Sequence, residues 1–166
     1  MIKAILTPMQ PGALDQRVVA GAASVSAPWA IAMAPAETCC GHREVDINLN
    51  RHRLQRMARG MGLHSPDIVL LLDSDVIMPP GTAQALVAHL LDSECICAAA
   101  MTQGPTDHVL TACAAIRWEH YELLRFWDNA DECQCKKIAR LGRVEYVHGI
   151  VCSEISKNNE RITNAT

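Results

Sequence analysis

Short apolar runs alternate along the chain with segments of helical periodicity. We predict strands at the apolar runs Lys3–Leu6, Val25–Met33, Ile68–Leu72, Cys95–Met101 and Arg143–Val151. The run Ile68–Leu72 is wholly aliphatic and is followed by Asp-Ser-Asp and a Pro-Pro-Gly stop. A short apolar run between turn signals is typical of a strand buried on both faces. This run therefore predicts the centre of a sheet that helices cover.

The clearest helical pattern lies at Asn48–Met61. Its apolar residues follow the i, i+3, i+4, i+7 spacing of one buried face. They are Leu54, Met57, Ala58 and Met61. Asp46 or Asn48 is expected to cap the start of this helix, and Gly62 to end it.

Weaker helical patterns follow later in the chain. Thr82–Leu91 is predicted to be a helix that buries Leu86, Val87, Leu90 and Leu91. Cys133–Leu141 is predicted to turn Cys135, Ile138 and Ala139 inward and Lys136, Lys137 and Arg140 outward. Leu14–Ala20 is predicted to be a short helix or an extended segment, and Val109–Trp127 a strand or turn followed by a helix.

The order of these elements favours one fold class. Strands that alternate with helices are typical of an α/β sandwich with a mainly parallel central sheet. The 166 residues suffice for one domain with a sizeable core. We therefore predict a single domain over residues 1–155 and a polar tail over residues 156–166.

Composition and charge argue against two classes of protein, namely nucleic-acid-binding proteins and membrane-spanning proteins. The formal net charge of −3 argues against general nucleic-acid binding. Ser24, Ser26, Pro28 and Pro35 interrupt the most apolar region, so no stretch has the length of a clean transmembrane helix. The apolar N-terminus ends at Thr7-Pro8 and fits a strand better than a signal peptide. We predict a cytoplasmic protein.

The eight cysteines favour a reduced, structural role. They stand at positions 39, 40, 95, 97, 113, 133, 135 and 152. No Cys-x2-Cys pair occurs, so the spacing of structural zinc sites is absent. Cytosolic disulfides are rare, and free cysteines in apolar segments behave as small hydrophobes. A metal or redox cluster is the alternative.

The triplet Asp73-Ser74-Asp75 carries the strongest candidate chemistry. On an extended chain Asp73 and Asp75 lie on the same side, and two neighbouring carboxylates repel each other unless a cation lies between them. Mg²⁺ and Mn²⁺ are typically held by one or two carboxylates, with water and phosphate oxygens completing the shell. The carboxyl ends of strands are where ligands bind in open α/β sheets. The alternative is that both residues belong to a turn or cap a helix.

Two other patterns leave a structural and a functional interpretation open. The arginines of the Asn48–Met61 helix are Arg51, Arg53, Arg56 and Arg59, which form a solvated surface or place one or two guanidinium groups near a phosphate. The aromatic residues gathered in one segment are Trp118, Tyr121, Phe126 and Trp127. They either fill the core or form the wall of a sugar or base pocket.

These residues resemble the family 2 glycosyltransferases, enzymes with the GT-A fold that use nucleotide-sugar donors. Leu70-Leu71-Leu72-Asp73-Ser74-Asp75-Val76, followed by Pro79-Pro80-Gly81-Thr82, resembles the metal-binding segment of that family. Asn50-Arg51-His52-Arg53 with Ala58-Arg59-Gly60 resembles the preceding helix. Asp131-Glu132-Cys133-Gln134-Cys135-Lys136-Lys137 resembles its C-terminal helix, and the resemblance spans roughly residues 3–155. It implies a GT-A-like three-layer sandwich.

The resemblance implies a metal and donor site. Asp73 and Asp75 would bind Mn²⁺ or Mg²⁺ and the diphosphate of a UDP- or GDP-sugar, with Asp75 as the more direct ligand. Glu154 would stand where the family usually has a metal-binding His, and His148 is the other candidate. The residues expected to contact the donor are Thr7, Pro8, Arg51 and Asp73. For recognition of the base, Glu37 and Asp46 are the candidates.

The resemblance also implies a catalytic role for the Asp131-Glu132 pair. Asp131, or Glu132 beside it, would deprotonate the hydroxyl of an unknown acceptor in an inverting transfer. Capping of the following helix is a structural role for Asp131 that is compatible with this one. A homo-oligomer is possible.

Other function classes remain open. The first is a non-catalytic nucleotide-sugar-binding or interaction module on the same fold. The second is a cysteine-based metal or redox protein. Nucleotidyl transfer to a sugar phosphate is disfavoured, because no glycine-rich loop follows Leu6.

Overall fold

The computed structural model describes residues 1–9, 12–33, 43–103, 112–129 and 131–155. These residues form seven strands and five helices. In chain order they are β1 (Ile2–Met9), α1 (Gln16–Ala23), β2 (Trp29–Met33), α2 (Arg43–Gly60), β3 (Ile68–Leu72), β4 (Val76–Ile77), α3 (Thr82–Asp92), β5 (Cys97–Gln103), β6 (Cys113–Arg117), α4 (Trp118–Tyr121), α5 (Gln134–Leu141) and β7 (Val144–Glu154).

All seven strands join one sheet in the order β2-β1-β3-β6-β5-β7-β4. The pairs β1–β2, β1–β3 and β5–β7 are parallel, whereas β3–β6, β5–β6 and β4–β7 are antiparallel. The prediction of a mainly parallel sheet is therefore wrong, because the sheet is mixed. The segment 104–112 that joins β5 to β6 is shorter than the dozen or more residues that a parallel crossover needs.

Strand β3 lies inside the sheet and is buried along its whole length. Ile68, Leu70 and Leu72 join one core cluster, which α1 and α3 cover, while Val69 and Leu71 join the other. Helices α2, α4 and α5 cover this second face. The alternation follows from the two-residue period of a strand. The predicted three layers are present.

The strand directions bring several loop connections to one edge of the sheet. Strands β1, β2 and β3 are parallel, so their carboxyl ends share an edge. Strand β6 begins at this edge, since Cys113 pairs with Leu72. The amide of Asp73 donates to the carbonyl of Ala112 at 2.7 Å. The Asp73-Ser74-Asp75 triplet is thereby fixed at the edge where β1 also ends.

Helix α2 starts earlier than predicted and buries a different face. Its first residue is Arg43, so Asp46 lies inside the helix, 2% exposed, instead of capping it. Leu54 and Ala58 are buried as predicted, but Met57 (43%) and Met61 are exposed. The N-terminal half of the buried face is polar, and a search for apolar periodicity cannot detect it. Its buried polar residues are Asp46, Asn48, Asn50, Arg51 and Gln55.

The other helices show smaller differences from the prediction. In α3, Leu86 and Leu90 are buried, but Leu91 is 57% exposed and Val87 only partly buried. In α5, Ile138 is buried as predicted. Lys137, which was predicted to face solvent, is buried, and Ala139, which was predicted to face the core, is exposed. The aromatic residues Trp118, Tyr121 and Phe126 lie in the core, while Trp127 is exposed and makes a T-shaped ring contact with His52.

Nothing in the described structure tests the boundaries of the predicted domain, since the tail at 156–166 lies outside the described residues. None of the helices in the described part of the chain combines the length and the apolar character that crossing a bilayer demands. The cytoplasmic location stays a prediction.

Helix α1 packs against the backbone that follows the Asp73-Ser74-Asp75 triplet. A Cβ at Gly21 would lie 2.8 Å from the carbonyl oxygen of Met78, which is closer than real contacts allow. We expect Gly21→Ala to lower the free energy of unfolding by about 1–3 kcal/mol, because a backbone atom must move. Urea denaturation measures this.

Gly60→Ala is the matched control for this substitution. Gly60 also lies in a helix, but no atom lies within 4 Å of the position that a Cβ would take there. Because alanine is the better helix former, this variant should be as stable as wild type or slightly more stable. Equal losses in both variants would contradict the close packing of α1 on Met78.

Candidate functional site

A polar cavity of about 70 Å³ lies at the edge where β1 and β3 end. Its lining comes from the end of β1, the polar face of α2 and the triplet after β3. The lining residues are Pro8, Met9, Ile47, Asn50, Arg51, Asp73, Ser74 and Asp75. The cavity thus places two carboxylates and one guanidinium group around a common space.

The Asp73-Ser74-Asp75 triplet is held in place by backbone hydrogen bonds on both sides. The amide of Val76 donates to the carbonyl of Asp73 at 3.1 Å, which closes a tight turn. The amide of Ile155 donates to the carbonyl of Asp75 at 2.8 Å. Asp73 is half-buried and Asp75 exposed, and both line the cavity together with Ser74. The triplet forms a turn, not the extended segment that the prediction assumed.

Arg51 is the arginine of α2 that turns into this cavity. It is only 9% exposed, and the other arginines of the helix are not among the described residues that line the cavity. Arg53 donates to the carbonyl of Met33 and Arg59 to that of Glu122. The structure therefore separates one buried guanidinium group from the arginines at the surface.

Tyr121 lies within electrostatic range of Arg51 and Asp73. Burial raises the pKa of the Tyr121 hydroxyl, the positive charge of Arg51 opposes this rise, and Asp73 adds to it. The hydroxyl oxygen is buried and has no hydrogen-bond partner among the described residues. Tyr121 therefore remains a neutral phenol near the charged groups of the cavity.

The amide side chains of α2 bind the backbone of the segment that leads to Asp131. Gln55 Nε2 donates to the carbonyls of Tyr121, Glu122 and Leu124 at 2.9–3.1 Å. Asn48 Nδ2 donates to the carbonyl of Glu132 at 2.9 Å. The helix that lines the cavity with Arg51 thus also positions the Asp131-Glu132 pair.

Lys137 binds the same segment from the other side. Its buried Nζ donates to the carbonyls of Arg125, Phe126, Asp128 and Asn129. Burial lowers the pKa of the Lys137 ammonium, and the nearby Glu132 and Asp128 carboxylates oppose this effect. The carbonyl contacts explain why a lysine predicted to face solvent is buried.

The two candidate bases differ in their surroundings. Asp131 is exposed. Glu132 accepts a hydrogen bond from Arg140 through Oε1 at 2.7 Å, while its Oε2 is buried without a partner in the described part of the chain. Asp131 is thus the carboxylate with access to solvent, whereas Glu132 is engaged in an ion pair.

Thr7 and Glu154 lie near the cavity, although neither lines it within the described residues. Thr7 is buried, and its Oγ1 accepts a hydrogen bond from the Trp29 indole at 2.8 Å. The backbone of Glu154 pairs with that of Val76, one residue beyond Asp75. His148, the other candidate metal ligand, is exposed on β7.

Of the two residues predicted to recognise the nucleotide base, the structure describes only Asp46. Glu37 lies outside the described residues. Asp46 is buried in α2, and neither of its carboxylate oxygens has a hydrogen-bond partner among the described residues. Buried polar groups are nearly always hydrogen-bonded, so the unpaired carboxylate of Asp46 requires an explanation.

Sequence analysis missed Met9, Ile47 and Asn50 as cavity residues. Strand β1 continues to Met9, beyond the predicted end at Leu6, and so brings Met9 to the edge. Ile47 and Asn50 lie within one helical turn of Arg51. Ile47 lies four residues before Arg51 and three before Asn50, so helical spacing from Ile47 was the signal that could have linked these residues.

A larger cavity of about 430 Å³ lies on the α1 and α3 face, near the start of β1. It is mostly apolar, and no charged side chain lines it in the described part of the chain. Its lining residues are Met1, Ile2, Ser24, Val25, Ser26, Ala83, Gln84, Val87, Ala88 and Leu91. The convergence of charged groups, rather than volume, identifies the smaller cavity as the candidate site.

Comparisons with known proteins identify the class of fold. No family model matches the chain, and no curated protein matches it. A glycosyltransferase involved in glycosylation of the major capsid of PBCV-1 matches with a TM-score of 0.63 at 12% identity, over 99% of this chain and 98% of that one. The chain has a GT-A-like fold.

Glucosyl-3-phosphoglycerate synthase from Mycobacterium tuberculosis shares this fold. Its complex with Mn²⁺, UDP and phosphoglyceric acid matches with a TM-score of 0.54 at 13% identity, over 98% of this chain and 73% of that one. Its complex with Mg²⁺ and UDP matches with a TM-score of 0.51 at 13% identity, over 97% and 74%. At such identities the likenesses show the fold alone, and they confirm the GT-A-like fold that the family resemblance implied.

The carbonyl cluster around Lys137 leads to a stability prediction. Lys137→Met should lower the free energy of unfolding by about 1–3 kcal/mol, because buried carbonyls lose their donor. Lys136→Met, which changes the exposed neighbour, should alter it by no more than about 0.5 kcal/mol. Urea denaturation of both variants measures the difference, and equal effects would contradict a structural role for Lys137.

Proposed function

We propose that the protein is a metal-dependent glycosyltransferase that moves a sugar from a UDP- or GDP-sugar to an acceptor hydroxyl. One observation carries this proposal. The buried Arg51 guanidinium and the Asp73 and Asp75 carboxylates line a single cavity at the carboxyl ends of β1 and β3. A guanidinium group binds phosphate oxygens, and paired carboxylates bind a divalent cation.

The donor set of the cavity fits Mn²⁺ or Mg²⁺. Carboxylate oxygens are hard ligands, and these cations commonly take one or two of them together with phosphate oxygens. Asp73 and Asp75 would hold the metal, which would neutralise the charge that grows on the departing diphosphate. Asp75 is the more exposed carboxylate of the pair and would be the more direct ligand.

The structural neighbours support this assignment of metal and donor. The mycobacterial synthase is described in complexes with UDP and Mn²⁺ or Mg²⁺, and in one with UDP-glucose. We infer the same classes of ligand here, with Arg51 neutralising the diphosphate. Pro8 and Met9 would border the nucleotide at the end of β1.

In the proposed enzyme, Glu154 and Thr7 would support the metal and the nucleotide. Strand pairing holds the Glu154 backbone one residue from Asp75, so a rotation of its side chain would bring a third carboxylate to the metal. Thr7 would act indirectly, because its bond to Trp29 fixes the end of β1 from which Pro8 reaches the cavity.

Asp131 is the general base of the proposed inverting transfer. It is the exposed member of its pair, and the segment that carries it is held by Asn48 and Lys137. A carboxylate fixed near the donor can accept the acceptor's proton as the hydroxyl attacks the sugar carbon. Glu132, which is bound to Arg140, would orient this segment and is the alternative base.

The donor assignment predicts metal-dependent nucleotide binding. UDP or GDP should raise the melting temperature with Mn²⁺ present, since a ligand at 100 times its Kd stabilises by about 2.7 kcal/mol. Asp75→Asn should weaken this binding about tenfold or more, because a charged ligand of the metal is lost. Thermal shift and isothermal titration measure both effects.

Asp92→Asn is the matched control, because Asp92 is an exposed carboxylate at the end of α3 and is not among the described residues that line the cavity. This variant should bind nucleotide and metal as wild type does. Unchanged binding by Asp75→Asn, or equal losses in both variants, would refute the donor site.

If Asp131 is the general base, its substitution should lower turnover without weakening nucleotide binding. Asp131→Asn should lower kcat for hydrolysis of UDP-glucose or GDP-mannose, with water as acceptor, by about 10²-fold or more, while nucleotide binding is retained. Glu132→Gln should cause a smaller loss. Release of the nucleoside diphosphate measures kcat.

The same assay distinguishes the remaining possibilities. A large loss in Glu132→Gln with none in Asp131→Asn would assign the base to Glu132. Tight binding of nucleotide with no turnover of a broad set of donors and acceptors would instead identify a non-catalytic binding module.

A further inference from the structure

A second cluster of metal-binding side chains lies at the opposite edge of the sheet. It consists of His89 in the last turn of α3, Cys95 just before β5, and Glu145 on β7. Strand register places this cluster beside the start of β5 and β7, where Cys97 pairs with Val144. The length of a five-residue strand, about 16 Å, separates this edge from the Asp73 edge.

The ligand atoms of the cluster are close enough to share one ion. One nitrogen of His89, the sulfur of Cys95 and one carboxylate oxygen of Glu145 all lie within 4.8 Å of one another. In a tetrahedral zinc site, bond lengths of about 2.0–2.3 Å put the ligand atoms roughly 3.5 Å apart. Changes of about 1 Å, within the reach of side-chain rotation, convert the observed arrangement into that geometry.

Neighbouring side chains already orient two of the three ligands. Ser93 Oγ donates a hydrogen bond to the Cys95 sulfur at 2.9 Å. Arg143 contacts Oε1 of Glu145, so that Oε2 is directed at His89 Nε2, 2.6 Å away. Partners of this kind fix the orientation of ligands in metal sites.

We propose that His89, Cys95 and Glu145 bind a zinc ion, with water as the fourth ligand. Sulfur, imidazole nitrogen and carboxylate oxygen together match zinc, whereas Mg²⁺ and Mn²⁺ prefer oxygen ligands alone. Zinc binding exchanges the Cys95 thiol proton, which goes to solvent, for a sulfur–zinc bond. Thiolate and carboxylate then neutralise the charge of the ion.

The partial burial of the cluster fits an ion that has three protein ligands and one position open to water. Cys95 is 1% exposed, while His89 and Glu145 are partly buried. The ion would join α3, the lead into β5 and β7, elements that meet at one end of the core. It would act independently of the donor cavity, so the proposal does not rest on the proposed function.

Metal content and cobalt spectroscopy test the proposal. The purified full chain, stripped of metal and reconstituted with zinc, should hold one equivalent and melt at a higher temperature than the stripped protein. With Co²⁺ in place of zinc it should show the near-ultraviolet band of sulfur-to-cobalt charge transfer. Cys95→Ser should abolish this band and weaken zinc binding at least about tenfold.

Two controls locate the ion. Cys97→Ala removes a buried cysteine that belongs to the opposite face of the sheet, and it should retain both the band and the affinity. Asp75→Asn, which alters the donor cavity, should also retain them. If Cys95→Ser does not fold, His89→Gln at a partly exposed position removes a ligand without opening the core, and it should lower zinc affinity to the same extent.

Several outcomes would overturn the proposal. Zinc affinity unchanged in both Cys95→Ser and His89→Gln would leave only a hydrogen bond between His89 and Glu145. Absence of the cobalt–sulfur band would exclude the thiolate ligand. Zinc binding that Asp75→Asn abolishes and Cys95→Ser retains would place the ion in the donor cavity.

Discussion

The burial of β3 on both faces is the constraint on which the candidate site depends. Every residue from Ile68 to Leu72 is buried, because β1 and β6 flank the strand and helices cover both faces. Charged groups in such a strand would be costly, so polar residues can begin only where it ends. Asp73 stands at that point, and its amide is already bound to Ala112. The same burial that stabilises the core therefore fixes the carboxylates at the edge.

Helix α2 connects this edge to the rest of the site. Its apolar residues Leu54 and Ala58 pack in the core, while its polar residues carry out separate tasks. Arg51 lines the cavity, Gln55 binds the backbone at the end of α4 and just after it, and Asn48 binds the carbonyl of Glu132. A rigid helix thus relates the donor cavity to the candidate base. The proposed catalysis depends on this fixed arrangement, since the general base must be held at a defined distance from the acceptor hydroxyl that attacks the sugar carbon.

The two candidate metal sites differ in chemistry and in place. The donor cavity offers carboxylates and a guanidinium group at the carboxyl ends of β1 and β3. The second cluster offers sulfur, nitrogen and oxygen at the other edge, beside the starts of β5 and β7. Hard cations prefer the first set of ligands, and borderline cations such as Zn²⁺ prefer the second. The absence of Cys-x2-Cys spacing in the sequence does not exclude zinc, because the parallel pairing of β5 with β7 brings Glu145 close to Cys95, which lies just before β5.

The sequence alone determined the strand at Ile68–Leu72 and the position of Asp73 and Asp75 after it, because short apolar runs and turn residues are local signals. The GT-A-like fold was implied by the resemblance of these segments to the family 2 glycosyltransferases. Helical spacing alone did not distinguish Arg51 from the other arginines of α2, and only the family resemblance marked it as a donor contact; the sequence placed Lys137 at the surface. Only the tertiary structure decided that Arg51 turns into the cavity and that Lys137 binds carbonyls from Arg125 to Asn129. It also decided the mixed sheet and the meeting of His89, Cys95 and Glu145. These features depend on contacts between residues far apart in the chain, which periodicity and spacing do not encode.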